Sequence, residues 1–293
     1  MLMQHLEERS GAPGVPRLRF ADGRPAADLI TVNRLPPTPE IAMATLAYLE
    51  REDCNVADLA GFIASDQALA AGILKLANSA SYGLRARVAS IPQGVTRLGF
   101  ARVKNLVLGL SVWHSFGGCG GSTVRATVWR HSVLVSGAAR ALAHRLGLDD
   151  TAAFTAGLIH DVGKLVLGLQ LGAPYWDLVV ETDDRDLAGI ETERFGCDHA
   201  EIGGWLLERW HIPPALVEMV ALHHGTLASA HVENVVELAD VLVAGTDAES
   251  GLVRPDAWTA VQRAHPALLT AEEWSAIHAN IVADQESIAE LFG

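Results

Sequence analysis

Apolar residues recur three or four positions apart along most of this chain, and that period is typical of α-helices with one buried face. The first such pattern follows the prolines of LPPTPEIAMATLAYLERED, where Ile41, Leu46 and Leu49 have a helix-compatible spacing. Alternating patterns typical of strands are almost absent. The pattern therefore predicts an all-α protein.

Polar capping residues mark the predicted helix starts in the first half of the chain. Asn55, followed by Asp58 three positions later, and Asp66 are predicted to open two short helices. Ser90 is predicted to cap one longer helix over SIPQGVTRLGFARVKNLVLGLSVWHSF. Glycines on both sides of Cys119 then interrupt the pattern, and they indicate a boundary between two subdomains.

The second half of the chain is again predicted to be helical. A helix from Ser122 is expected to end at Gly147. Asp149 or Asp150 is expected to start the next helix, which contains the stretch GLIHDVGKLVLG. The acidic run ETDDRD that follows is predicted to lie in a loop.

Length and composition favour an ordered protein with a full core. The chain has 293 residues, of which 49% are hydrophobic and only 19% are charged. Its 35 Asp and Glu against 22 Lys and Arg give a net charge of −13, which disfavours general binding to nucleic acid or anionic membranes. One local basic stretch stands out against this background, and a solvated helix face explains it more simply than a binding site. Its residues are Arg85, Arg87, Arg97, Arg102 and Lys104.

Cysteine usage and the chain start give no sign of export. The three cysteines are scattered, so they form neither a disulfide framework nor a CxxC metal knuckle. The start, MLMQHLEERSG, has no basic segment followed by an apolar one, and no run approaches 18 apolar residues. We therefore expect a cytoplasmic protein without a membrane span.

Seven residues of metal-binding types lie on five separate predicted helices, most of them at positions that otherwise read as core. They are His131, His160, Asp161, His199, His223, His224 and Asp240. Each has an ordinary explanation by itself. A lone inward histidine is usually a hydrogen-bonded core residue, two histidines at a helix end suit the helix dipole, and Asp161 with Lys164 fits an i,i+3 ion pair.

Taken together, these explanations require several core imidazoles and two buried carboxylates to find separate partners. One divalent cation would satisfy all of them at once. The mixed nitrogen and oxygen set, without cysteine, suits one or two ions of Fe, Mn, Co, Ni or Zn better than a structural zinc knuckle.

The order H…HD…D, formed by His131, His160-Asp161 and Asp240, resembles the ligand set of the HD superfamily of metal-dependent phosphohydrolases. A closer resemblance covers roughly residues 30–245. The segments LANS-x-x-YG and SI-x-x-x-V-x-x-LG are similar to those of the HDOD domain, an HD-related output domain of bacterial signalling proteins. The resemblance implies two helical lobes, a regulatory role through protein partners, and no settled catalytic activity.

The resemblance also implies a division of the chain. Residues 1–29, which are polar and rich in Gly, Pro and Arg, form an N-terminal extension that we expect to be flexible. The N-terminal lobe takes residues 30–116 and the HD-like lobe residues 122–245. Residues 246–293 are expected to form C-terminal helices that pack on the domain.

The seven candidate ligands also occur in the order of the binuclear HD-GYP phosphodiesterases, which hydrolyse cyclic di-GMP. That resemblance implies that Asp161 bridges two ions and that Lys164 contacts a phosphate oxygen. It assigns one ion to His131, His160 and Asp240, and the other to His199, His223 and His224. The chain departs from HD-GYP after the histidine pair, where HHGTLASAHVE contains no G-x-GYP stretch, and Thr127 supplies no carboxylate for an additional metal.

Three functions therefore remain open at the level of sequence. The first is a signalling output protein that acts through protein partners and keeps a metal or a polar core. The second is a metal-dependent phosphohydrolase or cyclic-dinucleotide phosphodiesterase, with Asp161 and Lys164 in the catalytic roles. The third is binding of a nucleotide, another phosphate ligand or nucleic acid without turnover, through the basic stretch.

Overall fold

The computed structural model of the protein consists of packed α-helices. It describes residues 34–49, 51, 53–78, 87–117, 122–224, 235–246, 253–265 and 268–289. Within these ranges the extended pairing is limited to one isolated antiparallel bridge between Thr246 and Val253. The predicted all-α class is confirmed. The predicted N-terminal extension, 1–29, and Cys119 with its flanking glycines Gly118, Gly120 and Gly121 lie outside the described residues.

Five helices form the first part of the described chain, and their starts follow the predicted caps. They are α1 (Glu40–Leu49), α2 (Val56–Ala64), α3 (Gln67–Ala77), α4 (Ile91–Leu98) and α5 (Phe100–His114). The side chain of Asn55 accepts a hydrogen bond from the amide of Asp58 at 3.0 Å, and Asp66 accepts one from the amide of Leu69 at 3.0 Å. Each cap satisfies an amide that the first helical turn leaves without a main-chain partner.

The single helix predicted from Ser90 onwards is wrong, because the chain breaks at Gly99. Ser90 caps α4 as predicted, accepting from the amide of Gln93 at 3.4 Å. Gly99 then has φ 81°, a left-handed conformation that glycine adopts without the steric cost of a Cβ atom. A break of one residue hardly disturbs the apolar period, so the pattern alone does not reveal it.

Eight helices follow up to residue 244. They are α6 (Ser122–Leu146), α7 (Asp150–Ile159), α8 (Val162–Leu171), α9 (Ala173–Glu181), α10 (Asp184–Phe195), α11 (His199–Arg209), α12 (Pro214–Ala221) and α13 (Val235–Ala244). As predicted, Gly147 ends α6, with φ 73°. Asp149 caps α7 by accepting from the amides of Thr151 and Ala152, each at 3.0 Å.

The acidic run at residues 181–186 is not the predicted loop. α9 continues to Glu181 and α10 begins at Asp184, so only Thr182 and Asp183 lie between the two helices. Acidic side chains near a helix N-terminus interact favourably with the helix dipole. The charge run therefore reflects a helix start and a solvated face.

The last described helices are α14 (Pro255–Ala264) and α15 (Ala271–Ala289). α15 packs along α6 and also contacts α3, so it touches both parts of the fold. Trp274 of α15 is fully buried and donates from its indole nitrogen to the hydroxyl of Thr246 at 3.1 Å.

Among the described residues, one stretch is long and apolar enough to span a membrane by the criteria of length and composition alone. It covers Asp150–Leu171, which comprises α7 and α8, and 89% of its apolar 18-residue window is buried inside the protein. This burial is that of central core helices.

Candidate metal centre

The sequence had predicted that the His160-Asp161 pair lies inside one helix, and this prediction is wrong. The pair lies at a turn between two helices. α7 ends at Ile159 and α8 begins at Val162. Asp161 has φ −88° and ψ 11°, which places it outside the helical conformation. The turn directs both side chains into a fully enclosed region, where His160 is 0% and Asp161 1% exposed.

Two glycines next to this turn let the neighbouring helices approach closely. A Cβ atom on Gly157 would lie 2.7 Å from the Cα of Ser136 in α6. A Cβ atom on Gly163 would overlap the carbonyl oxygen of His199 and lie 2.7 Å from its carbonyl carbon. The glycines thus bring α6, which carries His131, and α11, which begins at His199, against the turn.

The first group of donor atoms joins α6, the turn and α13. His131 Nε2 lies 2.8 Å from Asp240 Oδ1, and His160 Nε2 lies 3.8 Å from the same oxygen. The side chain of His131 is 20% exposed, whereas that of Asp240 is 7% exposed. Donor atoms of these three residues lie within 4.8 Å of one another, the separation expected of ligands of one ion.

The second group of donor atoms comes from α11 and from the turn after α12. Donor atoms of His199, His223 and His224 also lie within 4.8 Å of one another. His199 Nε2 and His224 Nε2 are only 2.8 Å apart, so a proton or a cation must lie between them.

Asp161 lies between the two groups. Its Oδ1 atom is 3.5 Å from His160 Nε2, 3.3 Å from His199 Nε2 and 3.8 Å from His223 Nε2. Its Oδ2 atom accepts a hydrogen bond from Lys164 Nζ at 2.8 Å. One carboxylate therefore faces both groups, while the buried lysine holds its other oxygen.

Three buried polar atoms point into this space without a hydrogen-bond partner in the described part of the chain. They are His160 Nε2, His223 Nε2 and Asp161 Oδ1. His160 Nδ1 donates to the carbonyl of Gly157 at 2.8 Å, and His223 Nδ1 donates to that of Val220 at 2.6 Å. Each imidazole therefore presents an unprotonated Nε2 atom to the centre.

Burial and neighbouring charges shift the ionisation of these residues. Burial lowers the pKa of His160, and burial with the nearby histidines lowers that of His223 and His224 well below the usual value. Burial alone would raise the pKa of Asp161, but His160 and Lys164 outweigh it and hold that pKa well below its ordinary range. Neutral imidazoles and an ionised carboxylate are the forms that bind metal.

His199 differs from the other histidines because a carboxylate lies behind it. Burial lowers the pKa of His199, but Glu191 outweighs this effect and raises it to about 10. This raised pKa favours a protonated His199 in the metal-free protein, with its Nε2 atom 2.8 Å from His224 Nε2 and 3.3 Å from Asp161 Oδ1. A divalent cation would displace that proton.

The donor set and the buried atoms without partners fit a divalent transition metal. Imidazole and carboxylate ligands with no thiolate suit Mn, Fe, Co, Ni or Zn, and buried polar atoms that lack a partner are costly. All seven sequence-predicted ligands meet at this centre, as does Lys164. In the basic stretch, Arg85 lies outside the described residues, and Arg87, Arg97, Arg102 and Lys104 are not among the residues of the centre.

The sequence reasoning did not identify the residues that support the centre. Glu191 and Tyr175 lie behind His199, and Gly157 and Gly163 permit the close packing around the turn. Glu191 had one usable signal. It lies four residues from both Leu187 and Phe195, so it occupies the inward stripe of a helix whose first residues had been predicted to lie in a loop.

An all-helical fold with an HD-type donor set at its centre defines a class of protein, and comparison with known proteins identifies the family. The family model of the HDOD domain matches residues 35–226. The chain therefore belongs to the HDOD family.

Solved structures share this fold. A candidate phosphohydrolase from Shewanella amazonensis aligns with a TM-score of 0.70 at 24% identity, over 89% of this chain and 96% of that one. An HDOD domain protein of unknown function from Geobacter sulfurreducens aligns with a TM-score of 0.65 at 23% identity, over 88% of this chain and 93% of that one. At these identities the likeness concerns the fold alone.

Curated relatives are longer proteins. An uncharacterized protein of Treponema pallidum is 25% identical over 66% of this chain, which spans 38% of that relative. Ribonuclease Y of Clostridium perfringens is 36% identical over 118 residues, or 40% of this chain and 18% of the ribonuclease.

Proposed function

We propose that this HDOD protein is a cytoplasmic output protein of bacterial signalling that binds one or two divalent transition-metal ions at its HD-type centre and acts through protein partners. The membership of the HDOD family supports the signalling role. The metal is supported by the convergence of seven donor residues from five separate parts of the fold.

One observation carries the metal assignment. Three buried atoms have no hydrogen-bond partner among the described residues: His160 Nε2, His223 Nε2 and Asp161 Oδ1. The nitrogen atoms of His160 and His223 lie 3.5 and 3.8 Å, respectively, from the Asp161 oxygen. A polar core held by hydrogen bonds would pair these atoms, because an unsatisfied buried group costs about 1–3 kcal/mol. A shared cation satisfies all three.

Elemental analysis of the untagged protein tests this proposal. We expect one to two equivalents of transition metal in the wild type and almost none in Asp161→Ala. Asp177→Ala, which removes an exposed aspartate from α9, is the matched control and keeps the metal. A folded wild type that contains no metal and takes up none of the five candidate ions would overturn the metal centre.

Metal-dependent phosphohydrolysis is the second candidate, and Lys164 favours it. The lysine is 2% exposed and donates to Asp161 at 2.8 Å, so its charge lies beside both groups of donor atoms. There it would stabilise a phosphate oxygen, while bound metal ions would lower the pKa of a water molecule. The partial similarity to ribonuclease Y also supports a phosphodiester substrate.

A turnover assay decides this candidate. The metal-reconstituted protein is incubated with bis(p-nitrophenyl) phosphate, cyclic di-GMP or a short RNA. Activity in the wild type that falls at least about 100-fold in Lys164→Met, with metal content retained, supports hydrolysis. A fully metallated wild type that cleaves none of the three substrates overturns it.

A complementation experiment separates the two functions in the cell. The transcript profile of a deletion strain is compared after return of the wild type, Lys164→Met or Asp161→Ala. Restoration by metallated Lys164→Met supports output through partners without turnover. Restoration by the wild type alone supports the hydrolase.

A further inference from the structure

We propose that Glu191 is a positioning residue for metal binding: it holds His199 as a ligand and adds a negative charge behind the histidine group, whose one facing carboxylate, Asp161, is shared with the other group. Tyr175 in turn holds Glu191. This inference rests on the proposed metal centre and names residues that support one half of it.

Glu191 is completely buried and accepts three hydrogen bonds. Tyr175 donates its hydroxyl to Oε1 at 2.5 Å. His199 donates twice to Oε2, from its main-chain amide at 2.7 Å and from Nδ1 at 2.6 Å. The carboxylate therefore fixes both the start of α11 and the orientation of the His199 ring.

The contact at Nδ1 determines which nitrogen can bind a metal. Because Nδ1 donates to Glu191, the Nε2 atom is the one left for the centre, where it lies 3.3 Å from Asp161 Oδ1. Metal-bound histidines commonly donate their other ring nitrogen to a carboxylate or a carbonyl, which orients the ring and raises its basicity. His160 and His223 use main-chain carbonyls for this purpose, whereas His199 uses a full negative charge.

The two groups of donor atoms differ in charge, and Glu191 reduces the difference. In the first group, the carboxylate of Asp240 would join His131 and His160 as a charged ligand. In the second group, His199, His223 and His224 would all be neutral ligands. Glu191, which contacts the side of His199 that faces away from the centre, gives this group a negative charge of its own. Loss of Glu191 should therefore weaken metal binding by this group selectively.

The isosteric substitution Glu191→Gln tests the charge with little change in shape. The amide oxygen of Gln can accept both hydrogen bonds from His199, while its NH₂ group can donate to the Tyr175 hydroxyl. Glu193→Gln, on the exposed face of the same helix, is the matched control because it makes the same change in net charge.

The metal-free protein is titrated with Co²⁺, and binding is followed by calorimetry and by the visible absorption of the bound ion. We expect Glu191→Gln to weaken the binding of one of the two Co²⁺ ions about 10–100-fold. The absorption of that ion is the component that His199→Ala should abolish. The absorption of the other ion, which Asp240→Asn should abolish, should persist in Glu191→Gln. Tyr175→Phe should weaken the same component less, and Glu193→Gln should match the wild type.

Folding is checked by circular dichroism and thermal unfolding without metal, and if Glu191→Gln does not fold, the assignment is decided on Tyr175→Phe. Unchanged Co²⁺ affinity in a folded Glu191→Gln protein, or an equal loss in Glu193→Gln, would overturn the role of Glu191 while leaving the metal centre intact. If the wild type binds a single Co²⁺ ion, unchanged affinity for that ion in Glu191→Gln would likewise overturn the role of Glu191. A wild type that binds no Co²⁺ overturns the metal centre itself.

Discussion

Gly163 lies two residues after Asp161, and its missing side chain determines how closely α8 can approach the start of α11. The space that a Cβ atom would need is occupied by the main chain of His199. Main-chain atoms cannot rotate away as a side chain can, so any substitution must move a helix. The glycine of HDVGK therefore determines how the start of α11, and with it His199, sits against the His160-Asp161 turn.

Gly163→Ala should therefore destabilise the protein by at least about 1–3 kcal/mol, the usual cost of overpacking, and should reduce metal binding. Urea unfolding monitored by circular dichroism measures this. Gly189→Ala is the matched control, since a Cβ atom there meets nothing within 4 Å on α10. In a helix interior this change should stabilise by about 0.5–1 kcal/mol. Equal stability of the two variants would contradict the packing argument.

At this scale the donor residues of the candidate centre were visible in the sequence, and the residues that support them were not. His131, His160 and Asp240 are polar residues at apolar stripe positions, which is a visible signal in one sequence. Gly163 looks like any helical glycine until the neighbouring helix is placed. Glu191 was missed because the acidic run that precedes it, at residues 181–186, favoured a loop, so no helix was predicted there.

At the scale of the helix, the N-caps were predicted correctly, whereas short breaks between consecutive helices were missed. The caps at Asn55, Ser90 and Asp149 depend on a side chain and an amide two or three positions away, so the sequence contains the whole interaction. The breaks at Gly99 and at the His160-Asp161 turn depend on what packs against the flanking helices. Periodicity continues across such breaks.

α15 makes a pH-dependent contribution to stability through His278. This side chain is 6% exposed, and burial lowers its pKa from the ordinary value of 6.5. The unfolded chain therefore takes up a proton first as the pH falls below 6.5. The stabilisation is complete above pH 6.5 and is lost as the pH falls towards the folded-state pKa.

The free energy of unfolding, measured in urea at a series of pH values below 7, should fall less steeply in His278→Phe than in the wild type. The phenyl ring keeps a large apolar group beside Trp274, whose ring centroid lies 5.9 Å from that of His278, and cannot titrate. Identical slopes in the two proteins would show that His278 takes no part in the acid sensitivity.

At the scale of the whole molecule, the centre connects elements that are distant in the chain. His131 and Asp240 meet across 109 positions, and the other ligands come from between them. Asp240 also lies beyond residue 226, where the match to the HDOD family model ends. An ion bound by the first group would therefore couple α6, the His160-Asp161 turn and α13.

Metal binding should consequently stabilise the entire fold. A free ion concentration 100 times the Kd adds about 2.7 kcal/mol to the free energy of unfolding if the unfolded chain does not bind. We expect Mn²⁺ to raise the urea midpoint of the metal-free wild type and to leave that of Asp161→Ala unchanged. An equal increase in both proteins would indicate binding elsewhere.

The fold class was predictable at this scale because helical periodicity extends over nearly the whole chain. The predicted ligands also meet as a set, since the order of HD-type motifs encodes their meeting indirectly. The packing of α15 against both α3 and α6 had no such signal. It depends on shape, as where Ile281 of α15 fills the space beside Gly137.

The distance along the chain between His131 and Asp240 also sets the timing of events on the ribosome. At roughly 5–20 residues per second, the 109 positions between them take roughly 5–20 s to translate. The histidines of α11 and of the turn after α12 emerge during that interval, whereas the last carboxylate does not. A nascent chain that meets a metal ion early would have the three-histidine group and Asp161 to hold it, and the partner of His131 would arrive last.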